Sequence, residues 1–310
     1  SAVKEAGGRA YLVGGCVRDA LLGIAPKDVD MEIYGLAPER IESILSRRFR
    51  FEVVGKSFGV WILKGYDIDV SVPRRERKVG EGHKSFEIEC DPFLPVEAAC
   101  ARRDFTINAM LCDYLTGEIV DPYSGREDLK NRILRHTSGK FAEDSLRVLR
   151  AMQFIARFGL APASETVALC SEIPFGELAP ERVFEEWKKL ILKGVKISSG
   201  LNFLRDCGWV KYFPELAACV GCPQDPQWHP EGDVFVHTGF CLDHFAKERI
   251  GDEREDLIVG LAVLCHDLGK PLCTKRGDDG KIHSYGHDIL GVKPTLKFLG
   301  RMTREKSLVE

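Results

Sequence analysis

The feature that most constrains this chain is a glycine pair, Gly14-Gly15, followed closely by two aspartates one residue apart, Asp28-Val-Asp30. Residues 11–13 are apolar and read as a short buried strand that the glycines interrupt. Residues 16–22 then place Val17, Leu21 and Leu22 at helical spacing, and Gly23 ends that helix. A strand–glycine–helix turn lets the backbone approach a phosphate, and the helix start offers free N–H groups and the positive end of a dipole. Arg18, about one turn inside, can add a charge-assisted fork to the same anion. Asp28 and Asp30 lie two apart in a segment of alternating polarity, so on a strand both side chains leave one face. Two carboxylates on one face suit Mg²⁺, a hard cation with a preference for oxygen. Two such ions about 4 Å apart can activate an attacking hydroxyl and neutralise a leaving pyrophosphate. Each feature also has a bland reading, a simple turn and a solvated strand face, and it is their order and spacing that favours chemistry. Asp67 and Asp69 repeat the same-face arrangement, with Asp69 favoured as a third carboxylate.

The rest of the head follows from periodicity. Residues 38–49 suit an amphipathic helix, and residues 51–54, 60–63 and 68–72 suit strands, with Lys64-Gly65 as a turn. Residues 73–97, polar and basic, read as a long functional loop. Beyond residue 140 the pattern turns helical, with Leu146, Leu149, Met152, Ile155 and Phe158 recurring at three-residue intervals. Asp144, Arg147 and Arg150 share the same spacing, which predicts one common helix face. Further helices are expected over 182–194, 200–207, 235–248, 256–268 and 289–299. The implied class is α+β: a mixed-sheet head over 1–137, an all-α neck and body over 138–218, and a histidine-bearing helical tail over 219–310.

In the tail, His266-Asp267 closes an apolar run, with His237 before it and His287 after it. An adjacent His-Asp pair supplies one nitrogen and one oxygen ligand, and two more histidines can complete a divalent transition-metal site. Cys219-x-x-Cys222 is half of a zinc signature without a second half and reads as structural.

Taken together, these residues resemble a known family. Gly14-Gly15-x-Val-Arg18-Asp-x-Leu-Leu-Gly-x-x-x-Lys-Asp28-x-Asp30 resembles the first motif of the class II tRNA nucleotidyltransferases and bacterial poly(A) polymerases. Arg102-Arg103-Asp104-Phe-Thr-Ile-Asn108-Ala-Met resembles the second, and Asp121-Pro-Tyr-x-Gly125 the third. Glu143-Asp144-x-x-Arg147-x-x-Arg150 resembles the base-reading motif. Glu181-Arg182-x-x-x-Glu186 resembles the fifth more loosely, since Glu185 also lies within reach. The resemblance implies a polymerase β-like nucleotidyltransferase head with two Mg²⁺ ions on Asp28 and Asp30, and Asp69 beside them. It implies nucleotide contacts from Gly14, Gly15, Arg18, Arg103, Asp104 and Asn108. Asp144 and Arg147 would satisfy the Watson–Crick edge of the incoming base, with Arg150 in support. Segment 73–97 would be the flexible loop that helps the switch from CTP to ATP.

The tail, with Gln227-Trp-His-Pro-Glu, His237, Cys-His266-Asp267-Leu-Gly-Lys and His287, resembles the HD phosphohydrolase domain carried by bacterial CCA-adding enzymes. That implies a second divalent metal, such as Ni²⁺ or Mg²⁺, and phosphatase or cyclic-phosphodiester chemistry. One departure stands out: HD domains include a further aspartate downstream, and no obvious one follows Asp288.

Composition sets the frame for the alternatives. The net charge of −3 gives no global attraction to nucleic acid, so affinity for a tRNA acceptor arm must come from local clusters such as residues 74–78, or Lys130, Arg132, Arg135 and His136. No run of about 18 apolar residues suggests a membrane span. Eleven cysteines scattered through apolar runs, such as Cys16, Cys112 and Cys265, suit buried thiols in a reducing cytoplasm. The expected activity is addition of C, C and A to tRNA from CTP and ATP. A-only addition, CC-only addition, poly(A) tailing, a phosphohydrolase with an RNA-binding head, and a non-catalytic RNA-binding protein remain as alternatives. Oligomeric state is left open.

Overall fold

The computed structural model describes residues 2–54, 59–78 and 86–309. Contacts divide the chain into two compact units, Ser1–Asp144 and Ser145–Glu310.

In the first unit the helix α1 (Ala2–Glu5) precedes strand β1 (Arg9–Val13), helix α2 (Gly15–Leu21), strand β2 (Val29–Tyr34) and helix α3 (Pro38–Leu45). Three strands follow, β3 (Phe51–Val54), β4 (Val60–Leu63) and β5 (Ile68–Ser71). Strands β6 (Arg74–Lys78) and β7 (Phe86–Cys90) form a separate ribbon, helix α4 spans Val96–Ala101, and β8 (Leu111–Asp113) and β9 (Ile119–Val120) complete the main sheet. Helix α5 (Gly125–Lys130) closes the unit. The main sheet has the order β3-β4-β5-β2-β1-β8-β9. Within it β2 and β5 run parallel, while the other registered pairs are antiparallel.

Strand alternation divides the core of this unit in two. Ile33, Ile41, Leu45, Trp61, Leu63 and Val70 pack α3 against one face. Tyr11, Val13, Tyr34, Ala99, Cys100 and Leu111 pack α4 against the other. The long loop expected over 73–97 is instead a paired ribbon ending in helix α4. Arg74 faces Cys90 in the register, and Arg75 is tied to Asp91 at 2.9 Å. Basic side chains obscured the strand signal there, because an edge ribbon tolerates charge on both faces. Residues 79–85 of that expected loop lie outside the described residues.

The second unit is helical: α6 (Leu146–Phe158), α7 (Ser164–Glu172), α8 (Pro180–Lys193), α9 (Ile197–Asp206), α10 (Pro214–Ala217), α11 (Val234–Glu248), α12 (Glu253–Cys265), α13 (Lys270–Cys273), α14 (His287–Gly300) and α15 (Lys306–Val309). Helix α6 is buried on nearly every side, including Gln153, between α8 and α9. Gly200 permits that approach, since a Cβ there would sit 2.6 Å from the Met152 carbonyl oxygen. The expected boundary at residue 218 is not a gap in packing. Phe298 of α14 stacks edge-on against Trp187 of α8 and Phe213, with ring centroids 5.5 and 6.0 Å apart. Middle and tail therefore share one aromatic core. Among the described residues no helix is long and apolar enough to cross a membrane.

At Gly125 a Cβ would lie 2.2 Å from the Thr106 carbonyl oxygen, a backbone atom that cannot rotate away. Gly125→Ala should therefore destabilise the protein by about 1–3 kcal/mol, read as a lower urea midpoint at an unchanged slope.

Candidate functional site

Strand β2 positions the acidic residues of the head. Asp30, Glu32 and Tyr34 leave the same face, since they lie two apart. The parallel register sets Asp30 opposite Asp69, and both are exposed. Asp28 is exposed in the bend just before β2 rather than within the strand. The Asp30 carboxyl is open to solvent on one side, yet desolvation on the other pushes its pKa up. Arg103 pulls it back, while Asp69, Asp28 and Glu32 push it further up. Carboxylates that hinder one another's ionisation are relieved by a divalent cation, and this all-oxygen donor set fits Mg²⁺.

The expected strict alternation along β2 fails at Glu32, which is only 2% exposed. Its Oε1 lies 3.2 Å from Arg102 Nη2 and 3.5 Å from Arg103 Nη2, and its Oε2 accepts the Tyr34 hydroxyl at 2.8 Å. Burial, then the Glu32 carboxylate, pushes the Tyr34 phenol far up. A Cβ on residue 14 would meet Arg103 Nη1 at 2.9 Å, and Gly14 has φ +71°. Glycine is required there twice, by conformation and by the guanidinium.

The other head residues form one buried network. Arg18, 5% exposed, donates from Nη1 to Asn108 Oδ1 at 2.6 Å and from Nε to Asp19 Oδ1 at 2.8 Å. Asn108 Nδ2 donates to Asp104 Oδ1, which also accepts the Phe105 N–H. Asp121 accepts the N–H groups of Gly125 and Arg126, so the third motif fixes a turn.

Asp144 is extended, with φ −128° and ψ 104°, and ends a short 3₁₀ turn. It therefore does not share a helical face with Arg147 and Arg150, as the spacing predicts. Helix α6 begins only at Leu146. Of Glu185 and Glu186, both within reach of the fifth motif's spacing, Glu186 is the buried one, 2% exposed, with Oε1 at 3.9 Å from Arg150 Nη1 and 2.8 Å from Lys189 Nζ.

The tail brings together all four of its predicted residues. Three imidazoles converge on Asp267: His266 Nε2 at 3.1 Å and His237 Nε2 at 3.8 Å from Oδ2, and His287 Nε2 at 3.5 Å from Oδ1. Each Nδ1 faces an acceptor: Glu231 Oε1 for His237 at 2.7 Å, the Val263 carbonyl for His266 at 2.7 Å, and the Ser284 carbonyl for His287 at 2.8 Å. A carbonyl or carboxylate can only accept, so each Nδ1 carries a proton; a neutral ring then turns a lone pair on Nε2 toward Asp267, and a protonated one donates to it. Burial is the first cause that lowers the His237 pKa, which favours this neutral form. For His266, burial works downward but Asp267 wins and raises it. Burial opposes the ionised form of Asp267, yet neighbouring His266 and Lys270 hold its pKa down at about 2. Asp267 is 2% exposed, and its Oδ2 accepts no aligned hydrogen bond, although Lys270 Nζ lies 2.8 Å away. Three imidazole nitrogens around a buried carboxylate fit a divalent transition metal.

Residues 10–135 match the poly A polymerase head domain. The chain is 39% identical over 302 residues to the multifunctional CCA protein of Stenotrophomonas maltophilia (strain K279a), covering 95% of this chain and 71% of that protein. The chain belongs to the multifunctional CCA protein family. Among solved structures, a tRNA-processing enzyme in its apo form 2 aligns at a TM-score of 0.63 and 23% identity, covering 99% of this chain and 77% of that one. A tRNA-processing enzyme with CTP aligns at 0.57 and 26%, covering 87% and 71%.

Several residues of this CCA-family chain escaped the sequence reading. Glu32 passed as one more polar position on an alternating strand. Glu231 and Lys270 sit inside matched segments but carry no motif signal of their own. The second turn of α11, with His237 followed four residues later by Cys241, was the one legible hint of a further ligand. The half-zinc signature is structural: Cys219 and Cys222 are buried thiols, and burial pushes Cys219 up to about 12. Cys112, expected to be buried, is only half-buried.

Removing the Glu32 carboxylate takes a buried counter-charge from both Arg102 and Arg103. Glu32→Ala should cost about 3 kcal/mol of stability by chemical denaturation, since breaking a buried ion pair strands its partners. Asp30→Asn should do the opposite and raise the stability of the metal-free protein by up to about 1 kcal/mol. Its sign follows from the raised pKa: ionisation costs stability as the pH rises through the ordinary carboxylate range, so the gain should vanish in acid.

Proposed function

We propose that this chain adds C, C and A to the 3′ end of tRNA from CTP and ATP without a template. Asp28 and Asp30 would hold divalent cations, Mg²⁺ by donor chemistry, with Asp69 as the third carboxylate. Support comes from the register of β2 on β5, which faces Asp30 with Asp69, next to Arg103. Such cations supply activation of the attacking hydroxyl and charge neutralisation at the leaving group. The chain's own residues do the positioning. Glu32 aims Arg103 along the glycine turn, where the guanidinium lies close because residue 14 lacks a Cβ. The Arg18–Asn108–Asp104 network holds that turn's helix and the following segment in register. Asp144 offers an acceptor and Arg147 a donor for the edge of the incoming base, with Arg150 held by Glu186. The relatives' names and a solved relative with CTP support the substrate choice. The described free cysteines, with no disulfide among them, fit work in a reducing cytoplasm.

A second, concurrent activity is favoured by the convergence on Asp267: metal-dependent phosphohydrolysis in the tail. A cleft of about 520 Å³ lies beside it, lined by Gln224, Trp228, His229, Lys270, Tyr285 and His287. His237, His266, Asp267 and His287 would hold the cation, which supplies an activated water or a polarised phosphoester. Lys270, bridged to Gln224 at 2.7 Å, is placed to attract the phosphate.

Purified protein with Mg²⁺, labelled CTP and ATP, and tRNA ending at the discriminator base should extend it by three nucleotides. A single added nucleotide, a stop at CC, or a long A tail would replace the reading. Asp30→Asn should cut addition at least about 100-fold. His266→Ala should leave addition intact while removing Ni²⁺-dependent hydrolysis of a 2′,3′-cyclic nucleotide.

A further inference from the structure

The motif-matched ligands do not exhaust the donors around Asp267. Cys241 lies one turn beyond His237 on α11, and its Sγ is 3.4 Å from His237 Nε2. Sγ and the facing nitrogens of His237 and His266 all lie within 4.8 Å of one another. Two ligands on one ion, a nitrogen at about 2.0 Å and a sulfur at about 2.3 Å, are separated by about 3.5 Å in a tetrahedral arrangement. The ordinary explanation of a free cysteine is a small apolar filler. That explanation does not fit a thiol turned toward imidazole nitrogens. The same two imidazoles also face a buried carboxylate: Asp267 Oδ2 lies 3.1 Å from His266 Nε2 and 3.8 Å from His237 Nε2. Because His237 Nδ1 is committed to Glu231, its Nε2 has only a lone pair to offer. The thiol proton is the one thing between sulfur and nitrogen, and a divalent cation displaces it.

We infer that Cys241 is a thiolate ligand of the tail's metal site, which therefore selects a thiophilic divalent transition metal such as Zn²⁺, Co²⁺ or Ni²⁺ over Mg²⁺. This rests on the reading of His237, His266, Asp267 and His287 as metal ligands. Three imidazole nitrogens, one carboxylate oxygen and one sulfur make a borderline-soft donor set, and hard cations bind thiolate poorly. Glu231 is the positioning residue of the set: it also meets His229 Nδ1 at 3.0 Å, and a backbone hydrogen bond together with the two histidines holds its pKa down at about 2 against the effect of burial. Among the described residues Lys270 faces the cluster with its ammonium on Asp267, and Gln224 shares it.

The test uses the full chain, reduced and metal-free, titrated with CoCl₂ and followed by absorbance. Wild type should show visible ligand-field bands together with a near-ultraviolet sulfur-to-cobalt charge-transfer band. Cys241→Ser should lose the near-ultraviolet band, keep the visible bands and bind Co²⁺ at least about tenfold more weakly. Cys273→Ser, which changes a half-buried thiol of α13, should keep both. Circular dichroism identical to wild type establishes that the variants fold, and Cys241→Ala provides a second substitution should the serine disturb α11. Visible bands without the near-ultraviolet band in wild type, or a band that survives Cys241→Ser, would overturn the thiolate while leaving the histidine–aspartate site standing. No cobalt absorbance at all would overturn both.

Discussion

The buried carboxylate of Glu32 holds the head together chemically. It sits on the central strand of the sheet, one pleat from Asp30, and takes two guanidinium groups and a phenol. An unpaired charge at that depth would be expensive, and unpaired arginines beside it equally so. The two demands cancel, and the by-product is geometry: Arg103 is fixed where it both moderates the charge of Asp30 and closes over Gly14. A positive group immobilised before any ligand arrives needs no reorganisation when charge develops, which is how preorganised electrostatics lowers a barrier. The same constraint explains the strand's lapse from alternation, since stability and function draw on one residue.

Much of this was legible in the order of residues, and what was not has a physical reason. Strands β3, β4 and β5 fall where the β-branched and aromatic runs Phe51 to Val54, Val60 to Leu63 and Ile68 onward put them, because such side chains suit a pleated surface. Strand β6 was hidden because Arg-Arg-Glu-Arg-Lys offers no alternation, while the alternating Phe-Glu-Ile-Glu-Cys of β7 was overlooked inside a stretch read as polar. Asp144 was misplaced for a different reason. Spacing of three joins residues on a helix only if the helix has started, and Ser145 turns the chain into α6 one residue too late. The burial of Glu186 rather than Glu185 is likewise a matter of rotation about α8, where a one-residue difference is about 100° of azimuth. The ligands of the tail were readable as residue types. Their tautomers were not, because these depend on Val263 and Ser284 carbonyls that no side-chain pattern encodes.

The two proposed metal centres differ in a way that follows from their donors alone. The head presents carboxylate oxygens on an open strand face, suited to a hydrated hard ion that shares its coordination with a triphosphate. The tail presents imidazole nitrogens oriented from behind by carbonyls and by Glu231, a buried carboxylate, and the sulfur of Cys241, the proposed thiolate ligand. Oxygen-only sites bind late transition metals less well than mixed nitrogen and sulfur sites do, and magnesium gains little from nitrogen or sulfur. One chain can thus keep magnesium at one centre and a scarcer transition metal at the other without exchange between them. Selection of the metal is then a property of ligand chemistry, not of affinity alone. A serine in place of Cys241 would narrow that difference without moving a single helix.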